Sequence, residues 1–260
     1  MNEQKYARLS VIIPCFNDGQ FLEEAIASVE TCSDSVYEII IINDGSTDPA
    51  TLHTLSNLKT SGYNVIDQQN GGPPAARNTG VRAAKGDYIL PLDSDCRIRP
   101  AYIQRGIEIL DQYPDVAVVY GDVELFGERK GVQQVPDFNL SWLVNHNYID
   151  NCAVFRKTVW IECGPYDVNM PFKCYDDWDF WLSVAKKGHK FYHVPEVLFE
   201  YRVRLVSLST SSRSEEKSKV VCRYIASKHA AFFPKEYRYY FKLYRVWLKV
   251  QQKWRSIFEG

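Results

Sequence analysis

The sequence has no long apolar segment, and its opening residues do not show the pattern of a secretory leader. No uninterrupted apolar run approaches the roughly 20 residues that a membrane-spanning helix needs. The opening stretch, MNEQKYARLSVIIP, lacks the charged and then apolar pattern of a signal peptide. We therefore expect a cytoplasmic protein, in which any membrane contact is peripheral and at the inner face of the cell membrane.

Paired cysteines and clustered histidines are missing as well. The seven cysteines are an odd number and form no CxxC pair, so the sequence predicts reduced thiols and neither a disulfide framework nor a zinc knuckle. The five histidines are scattered without the spacing of metal ligands. The pattern therefore favours structural roles for most of them.

Neither an excess of one charge nor a dinucleotide motif is present. The formal net charge is −1, so no protein-wide field favours a nucleic-acid partner. The first apolar run is followed by CFNDGQ and not by the GxGxxG of dinucleotide-binding proteins. A dinucleotide-dependent oxidoreductase is therefore disfavoured.

What the chain does contain is an alternation of short strands and helices. Its 260 residues are 45 % hydrophobic, enough to bury one large core. LSVIIP (9–14) and YEIIIIND (37–44) are typical of strands buried on both faces, and FLEEAIASVE (21–30) has helical spacing. The alternation predicts an α/β fold with a mostly parallel central sheet flanked by helices. The polar stretch SLSTSSRSEEKSK (207–219) predicts a link or loop.

Polar side chains follow several of the predicted strands. The carboxyl ends of parallel strands meet at one edge of a sheet, and ligands bind there. We therefore expect one polar rim that contains Asn17, Asp18, Asn43, Asp44, Asp93 and Asp95.

Asp93 and Asp95 place two like charges one residue apart, in YILPLDSDCRI. A nearby cation relieves such repulsion, and Mg²⁺ or Mn²⁺ prefers oxygen ligands and often shares substrate phosphates. The alternative is that Asp-Ser-Asp caps a helix beginning near Pro100, since these residues suit turns and helix starts.

Seven stretches, in this order, resemble the family 2 glycosyltransferases, whose catalytic domain has the A-type nucleotide-sugar-binding fold. They are SVIIPCFND (10–18), EIIIINDGSTD (38–48), GGPPAARNTG (71–80), DYILPLDSD (87–95), FRKTVWIECGPYD (155–167), YDDWDFWLSVAKKG (175–188) and YRVRLVSLS (201–209). The resemblance implies a catalytic domain over residues 1–210, and the composition of the remaining residues, 211–260, predicts a basic, aromatic helical extension.

The resemblance implies a nucleotide-sugar site at one group of positions: Pro14, Cys15, Asn17, Asp44, Arg77, Asp93, Arg202 and Arg204. In this interpretation Pro14 to Asn17 form a wall around the base, which Asp44 contacts. Asp93 faces the ribose and metal region, and Asp95 is the principal ligand of a divalent cation, Mn²⁺ or Mg²⁺. The alternatives are an Asp-Gly turn at Asp44 and a solvated helix surface at Arg77.

The stretch YDDWDFW supplies the second half of the implied chemistry. Asp177 matches the family's general base, which takes the proton of an acceptor hydroxyl, and the expected outcome is inversion at the anomeric carbon. Asp176, Trp178 and His146 would lie on the acceptor side. The alternatives are that the acidic residues stabilise the first turn of a helix and that Trp178 packs in the core, and we favour packing for Trp178.

One position departs from the family pattern. After the Tyr-Arg of YRVR many relatives carry a histidine that completes the metal shell or contacts the diphosphate, and this chain has Arg204. An arginine does not ligate a metal, but it can clamp a diphosphate. Arg202 can contribute in the same way, or else form a structural ion pair.

The C-terminal region is basic. From residue 213 onward twelve Lys or Arg and four Glu give a net charge of +8. On a helical wheel, residues 235–260 place a basic stripe opposite an aromatic one. Such a helix either lies on an anionic membrane or docks on the catalytic domain, and we favour docking.

The resemblance therefore implies an inverting glycosyltransferase. It would use a nucleotide-diphosphate sugar, with a UDP-sugar favoured, and a glycan or lipid-linked glycan acceptor in the synthesis of cell-surface polysaccharide or a related glycan. Two alternatives stay open: sugar transfer to a polyprenyl phosphate, and a non-catalytic nucleotide-binding subunit of a glycan-assembly complex.

Overall fold

The computed structural model describes residues 7–32, 37–205 and 215–230. Its first half is a parallel sheet that follows the predicted alternation. The strands β1 (Leu9–Cys15), β2 (Tyr37–Asp44), β3 (Asn64–Gln68) and β4 (Tyr88–Pro91) lie in the order β3-β2-β1-β4. They are joined by the helices α1 (Gly19–Glu30), α2 (Pro49–Thr60) and α3 (Pro73–Ala83).

The second half extends this sheet with strands of mixed direction. Along the chain come β5 (Arg97–Ile98), α4 (Tyr102–Gln112), β6 (Val116–Gly127), β7 (Gly131–Gln133), α5 (Leu140–Asn145), β8 (Val154–Arg156), α6 (Lys157–Cys163), a 3-10 helix (Pro171–Lys173), α7 (Asp176–Lys186), β9 (Lys190–Val203) and α8 (Glu215–Lys228). Beyond β4 the order is β8-β6-β9-β5, and β7 pairs with β6 as a hairpin. The short β8 is antiparallel to β4 and β6, whereas the long β6 and β9 are parallel.

The core lies on both faces of the parallel strands. Val11, Ile12 and Ile13 of β1 are fully buried, as are residues 40–42 of β2. Consecutive residues of a strand point to opposite faces, so both faces of these strands are covered, which explains why they are continuous apolar runs and do not alternate. Burial of each such side chain stabilises the fold by roughly 1.5–3 kcal/mol. The predicted α/β class is confirmed.

Close packing of α3 on β1 helps to place the functional rim. A methyl group at Gly80 would lie 2.2 Å from Cγ2 of Ile12, so glycine allows the helix to approach the strand this closely. Arg77 lies one turn earlier on the same helix and reaches the loop that follows β4.

The helix α8 is docked on the catalytic part of the chain. Lys228 Nζ lies 2.7 Å from carboxylate oxygens of both Asp167 and Asp179, and His229 Nε2 lies 2.9 Å from Asp179. The hydroxyl of Tyr224 donates to Asp167 at 2.8 Å. These contacts connect α8 to α7, the helix that carries Asp177.

The prediction of a link or loop over residues 207–219 is wrong for residues 215–219, which form the first turns of α8. The first residues of this helix are polar, and its buried apolar residues, Val221 and Ile225, come later in the sequence and are 1 % exposed. The predicted domain boundary at residue 210 and the predicted helix over residues 235–260 lie outside the described residues. Within the described residues, no helix has both the length and the apolar character needed to cross a membrane.

Candidate functional site

Asn17 joins the loops that follow β1 and β2. Its side-chain oxygen accepts hydrogen bonds from the backbone N–H of Thr47 at 2.7 Å and of Asp48 at 2.9 Å. Its own N–H donates to Ser46 Oγ at 3.1 Å. Asn17 has φ of 52°, a conformation that Asn tolerates better than most residues. Asn17 therefore lies at the predicted rim and joins two of its loops, while its place in a wall around the nucleotide base stays a prediction.

Pro14 and Cys15, the other predicted wall residues, are less available than Asn17. Pro14 is half-buried, and Cys15 is 1 % exposed. Burial raises the pKa of the Cys15 thiol to about 11, so this group stays protonated and packs as a small apolar side chain. The adjacent Phe16 is 49 % exposed and presents an aromatic ring at the end of β1.

Asp44 organises the loop that leads into α3. Its carboxylate accepts from the backbone N–H of Gly71 at 2.9 Å and of Gly72 at 2.8 Å, and from the side chain of Gln68 at 2.7 Å. Gly45 follows with φ of 71°, as an Asp-Gly turn requires. The turn alternative is therefore present in the structure, and the predicted contact with the base stays a prediction.

Arg77 is the central cation of the rim. It is 6 % exposed, so the alternative of a solvated helix surface is wrong. One guanidinium nitrogen lies 2.6 Å from Asp176 Oδ2, and another lies 2.8 Å from Asp93 Oδ1. The Arg77 side chain therefore bridges Asp93, the first carboxylate of Asp-Ser-Asp (the DSD motif), and Asp176, the first carboxylate of YDDWDFW.

A second arginine neutralises the other carboxylate of the DSD motif. Arg204 Nε lies 3.3 Å from Asp95 Oδ2, and Arg204 Nη1 donates to Asp18 Oδ1 at 2.6 Å. Arg202 Nε donates to the carbonyl of Asp95 at 3.0 Å, and its guanidinium also pairs with Glu24. The structural ion pair considered for Arg202 is thus present. The repulsion between Asp93 and Asp95 is relieved in part by the protein's own cations.

The helix-cap alternative for Asp93 and Asp95 is wrong. The next helix, α4, begins at Tyr102, and its N-cap position is Ala101, without a side-chain cap. The carbonyl of Asp93 instead accepts from the N–H of Cys96 in a turn at 3.0 Å. Burial, followed by the charge of Asp93, raises the pKa of Asp95 to about 6, and Arg204 opposes this rise.

The same carboxylates are compatible with a divalent cation. In the described part of the chain, no cluster of three or more His, Cys, Asp or Glu side chains is arranged to hold a metal. Mg²⁺, however, is commonly held by one or two carboxylates together with substrate phosphates. Asp93 is 39 % exposed, and only its Oδ1 is paired with Arg77. Asp93 and Asp95 therefore fit a cation that is shared with a diphosphate.

Asp177 lies in the first turn of α7, on the side of the rim predicted to receive the acceptor. Asn147 Nδ2 lies 3.1 Å from Oδ1 and 3.2 Å from Oδ2 of this carboxylate, and the N–H of Trp178 donates to Oδ1 at 2.8 Å. Burial, then the charges of Asp176 and Asp150, raise the pKa of Asp177 to about 7. A carboxylate with such a pKa can both accept and release a proton near neutral pH.

Asp150 also belongs to this acidic group, although no motif in the sequence predicts it. Its pKa is raised to about 6 by burial and by the charge of Asp93. Its Oδ1 accepts from the N–H of Cys152 at 2.8 Å. Asp150 and Asn147 lie in a loop, NHNYIDN, that is outside the seven stretches resembling the family. The one signal in the sequence was the concentration of polar and aromatic residues between α5 and β8.

The predicted acceptor-side residues take different positions. Trp178 is 4 % exposed, and its indole N–H donates to the carbonyl of Leu143, so it packs against α5 as the favoured alternative predicted. His146 follows α5, and its ring centre lies 5.5 Å from that of Trp142. A cavity of about 130 Å³ opens beside Asn147 and Trp178, closed on one side by Val221 and Cys222 of α8.

Sequence comparison identifies the family. The model of glycosyl transferase family 2 matches residues 10–164, which carry the DSD motif and the loop of Asp150. The chain belongs to glycosyl transferase family 2. The matched range ends before Asp176 and Asp177, so their roles in this family 2 chain depend on the geometry described above.

Curated relatives of this family 2 chain are distant and mostly longer. The protein y4gI of Sinorhizobium fredii is 28 % identical over 232 residues, covering 86 % of the chain and 25 % of the relative. Glycosyltransferase RP339 of Rickettsia prowazekii is 27 % identical over 221 residues, covering 80 % of the chain and 66 % of the relative. The chain spans about a quarter of the length of y4gI and about a third of the length of three other Rickettsia glycosyltransferases.

Solved structures support the A-type fold. S. aureus TarS 1–349 in complex with UDP-GlcNAc superposes with a TM-score of 0.68 at 20 % identity, over 85 % of this chain and 66 % of that one. The same TarS fragment with UDP gives a TM-score of 0.64. At this identity the likeness shows the fold alone, and it confirms the A-type prediction.

Proposed function

We propose that this family 2 chain is an inverting glycosyltransferase that moves a sugar from a UDP-sugar to a hydroxyl group of a glycan acceptor. The observation that carries the proposal is the arrangement of Asp177. This carboxylate is oriented by Asn147, has a pKa near 7, and adjoins the Asp176–Arg77–Asp93 chain that leads to the nucleotide side of the rim. TarS, which shares the fold, was solved with UDP-GlcNAc and with UDP.

In the proposed reaction the acceptor hydroxyl attacks the anomeric carbon of the sugar donor. Asp177 takes the hydroxyl proton as the new carbon–oxygen bond forms and the bond from sugar to diphosphate breaks. UDP leaves on the opposite face, so the anomeric configuration inverts. General base catalysis of this kind contributes about 10²- to 10⁴-fold to the rate.

The cationic side of the rim would stabilise the departing diphosphate. Arg204 is 28 % exposed and lies beside Asp18 and Asp95, where it can donate to phosphate oxygens. We also propose that Asp95 and Asp93 hold Mg²⁺ or Mn²⁺ together with those oxygens. When bound, the cation would neutralise negative charge on the leaving group.

The acceptor assignment is part of the same proposal. We place the acceptor in cell-surface polysaccharide or related glycan synthesis, in the cytoplasm. The motif resemblance supports the glycan acceptor, and the naming of relatives as glycosyltransferases supports sugar transfer.

Calorimetric titration with UDP, GDP and dTDP tests the sugar-donor side. Each nucleotide would be titrated with Mn²⁺ and then with excess EDTA. The proposal expects selective binding of UDP, which EDTA weakens. Binding unaffected by EDTA would leave Arg77, Arg202 and Arg204 as the phosphate-binding groups and contradict the metal proposal. Absence of binding to all three nucleotides would contradict the proposed function.

A further inference from the structure

We propose that Asn147 is a positioning residue for the general base: its side-chain amide fixes the orientation of the Asp177 carboxylate and stabilises its charged form. The role in catalysis rests on the proposed function, whereas the effect on Asp177 can be measured without turnover.

The geometry is that of one donor facing both oxygens of a carboxylate. Asn147 Nδ2 lies 3.1 Å from Asp177 Oδ1 and 3.2 Å from Oδ2. The N–H of Trp178 approaches Oδ1 from the helix at 2.8 Å. Two donors from different elements restrict rotation of the carboxylate, which a base needs if it is to meet an attacking hydroxyl in one orientation.

The loop that carries Asn147 is itself anchored. The helix α5 ends at Asn145, two residues earlier, and starts at an N-cap, Asn139, whose side chain accepts from the N–H of Trp142 at 3.0 Å. The N–H of Asn139 donates to the hydroxyl of Tyr148 at 2.9 Å. Asn147 is therefore held between a capped helix and a tethered tyrosine.

The charges around Asp177 explain why a neutral amide suits this position. The ionisable groups whose charges interact with the carboxylate come from α3, α7 and the loops beside them, and they are Arg77, Asp150, Tyr166 and Asp176. Tyr175, and Cys222 of α8, line the cavity beside Asn147. Burial and the two aspartates raise the pKa of Asp177, and the hydrogen bond from Asn147 lowers it more than the charge of Arg77 does. A lysine or arginine here would lower the pKa further and weaken the base. An amide orients the carboxylate without that loss.

Carbon-13 NMR titration of the side-chain carboxyl groups tests the effect directly. The Asp177 signal would be assigned by its loss in Asp177→Asn. Loss of the hydrogen bond in Asn147→Ala is expected to raise the pKa of Asp177 by roughly one pH unit. Asn147→Asp places a further negative charge beside it, and the pKa should rise more. An unchanged pKa in both variants would overturn the proposal.

The chain offers a matched control for this titration. Asn145 lines the same cavity, but its amide donates to the carbonyl of Ser141 at 2.6 Å. Asn145→Ala removes the same chemical group at the same end of α5, and the pKa of Asp177 should stay where it is in the parent protein. An equal rise in Asn145→Ala would mean that general loosening of the loop, and not the hydrogen bond, sets the pKa, which would also overturn the proposal.

Transfer kinetics test the catalytic consequence. In Asn147→Ala we expect kcat to fall about tenfold or more, the pH midpoint of kcat to move upward with the pKa, and KM for the sugar donor to change little. Asn147→Gln should regain part of the rate. A lower rate with an unmoved midpoint would contradict positioning of the base. Full transfer by Asp177→Asn would refute the proposed function instead, while the NMR titration would still decide whether Asn147 controls the carboxylate.

Discussion

At the scale of single residues, two arginines explain how the adjacent carboxylates coexist. Arg77 pairs with Asp93, and Arg204 pairs with Asp95. The motif alone suggested a metal ion as the compensating cation. The structure adds two protein cations, and a metal shared with phosphates would join them and not replace them.

The assignment of Asp177 as base predicts a loss of rate without a loss of binding. Asp177→Asn keeps the shape of the side chain but removes its basicity, so transfer should fall about 10²- to 10⁴-fold. The dissociation constant of UDP should change little. Radiochemical transfer and calorimetry on the same preparation measure the two quantities. As a control, Asp115→Asn alters an exposed aspartate that pairs with Lys190, and transfer should be unchanged. Equal small effects of both substitutions would contradict the assignment.

Raised carboxylate pKa values predict opposite pH trends for activity and stability. Asp177, with a pKa of about 7, must be deprotonated to act, so transfer should rise with pH through about 7. Asp95 and Asp150, with pKa values of about 6, and Asp177 bind protons more tightly in the folded than in the unfolded chain. The free energy of unfolding should therefore fall as pH rises from about 4 to 7.

Thermal unfolding of the nucleotide-free and metal-free protein at several pH values measures this stability trend. We expect a lower melting temperature at pH 8 than at pH 5, and a smaller difference in Asp150→Asn. A melting temperature that climbs steadily from pH 5 to pH 8 would show that these carboxylates are not destabilised by burial.

At the scale of elements, Arg77 ties α3 to α7. Its pair with Asp176 is buried on both sides, with side-chain exposures of 7 % and 5 %. Arg77→Met should lower the free energy of unfolding by roughly 3–5 kcal/mol, because Asp176 is left buried and uncompensated. The double variant Arg77→Met, Asp176→Leu should regain most of this loss. Urea denaturation measures all three proteins.

An exposed arginine just before β1 provides the comparison for Arg77. Arg8 pairs with Asp111, and their side chains are 44 % and 41 % exposed. Arg8→Met should cost less than about 1 kcal/mol, since water screens an exposed pair. A similar cost for Arg8→Met and Arg77→Met would mean that the buried bridge has no special role in joining the helices.

At the scale of the whole molecule, the basic C-terminal segment has two alternative binding surfaces, an anionic membrane and the catalytic domain. Residues 235–260 lie outside the described residues, and α8, which precedes them, is docked on α7. If these residues bind an anionic membrane, the intact chain should sediment with phosphatidylglycerol vesicles, and deletion of 235–260 should abolish this at low salt. Neutral phosphatidylcholine vesicles are the control. Unchanged sedimentation after the deletion would refute membrane contact through this segment.

The sequence predicted the architecture better than the site. The strands near residues 9–14 and 37–44 were predictable, because continuous β-branched runs between turn residues have few other stable outcomes. The helical start of α8 at residues 215–219 was not, because its anchoring contacts to Asp167 and Asp179 come from elements about 50 residues away. Within the site, Asp93, Asp95 and Asp177 stood in recognisable motifs, whereas Asp150 and Asn147 did not.

The sequence by itself determined the α/β class, the family resemblance and the acidic motifs, because strand and helix periodicity and short motifs are local properties of the chain. Only the tertiary structure decided what those motifs touch. Arg77 meets Asp176 across 99 residues and Arg204 meets Asp18 across 186, and these meetings depend on the order of strands in the sheet. The pKa values of Asp95, Asp150 and Asp177 follow from burial and from neighbouring charges, and such neighbours exist only once the chain has folded.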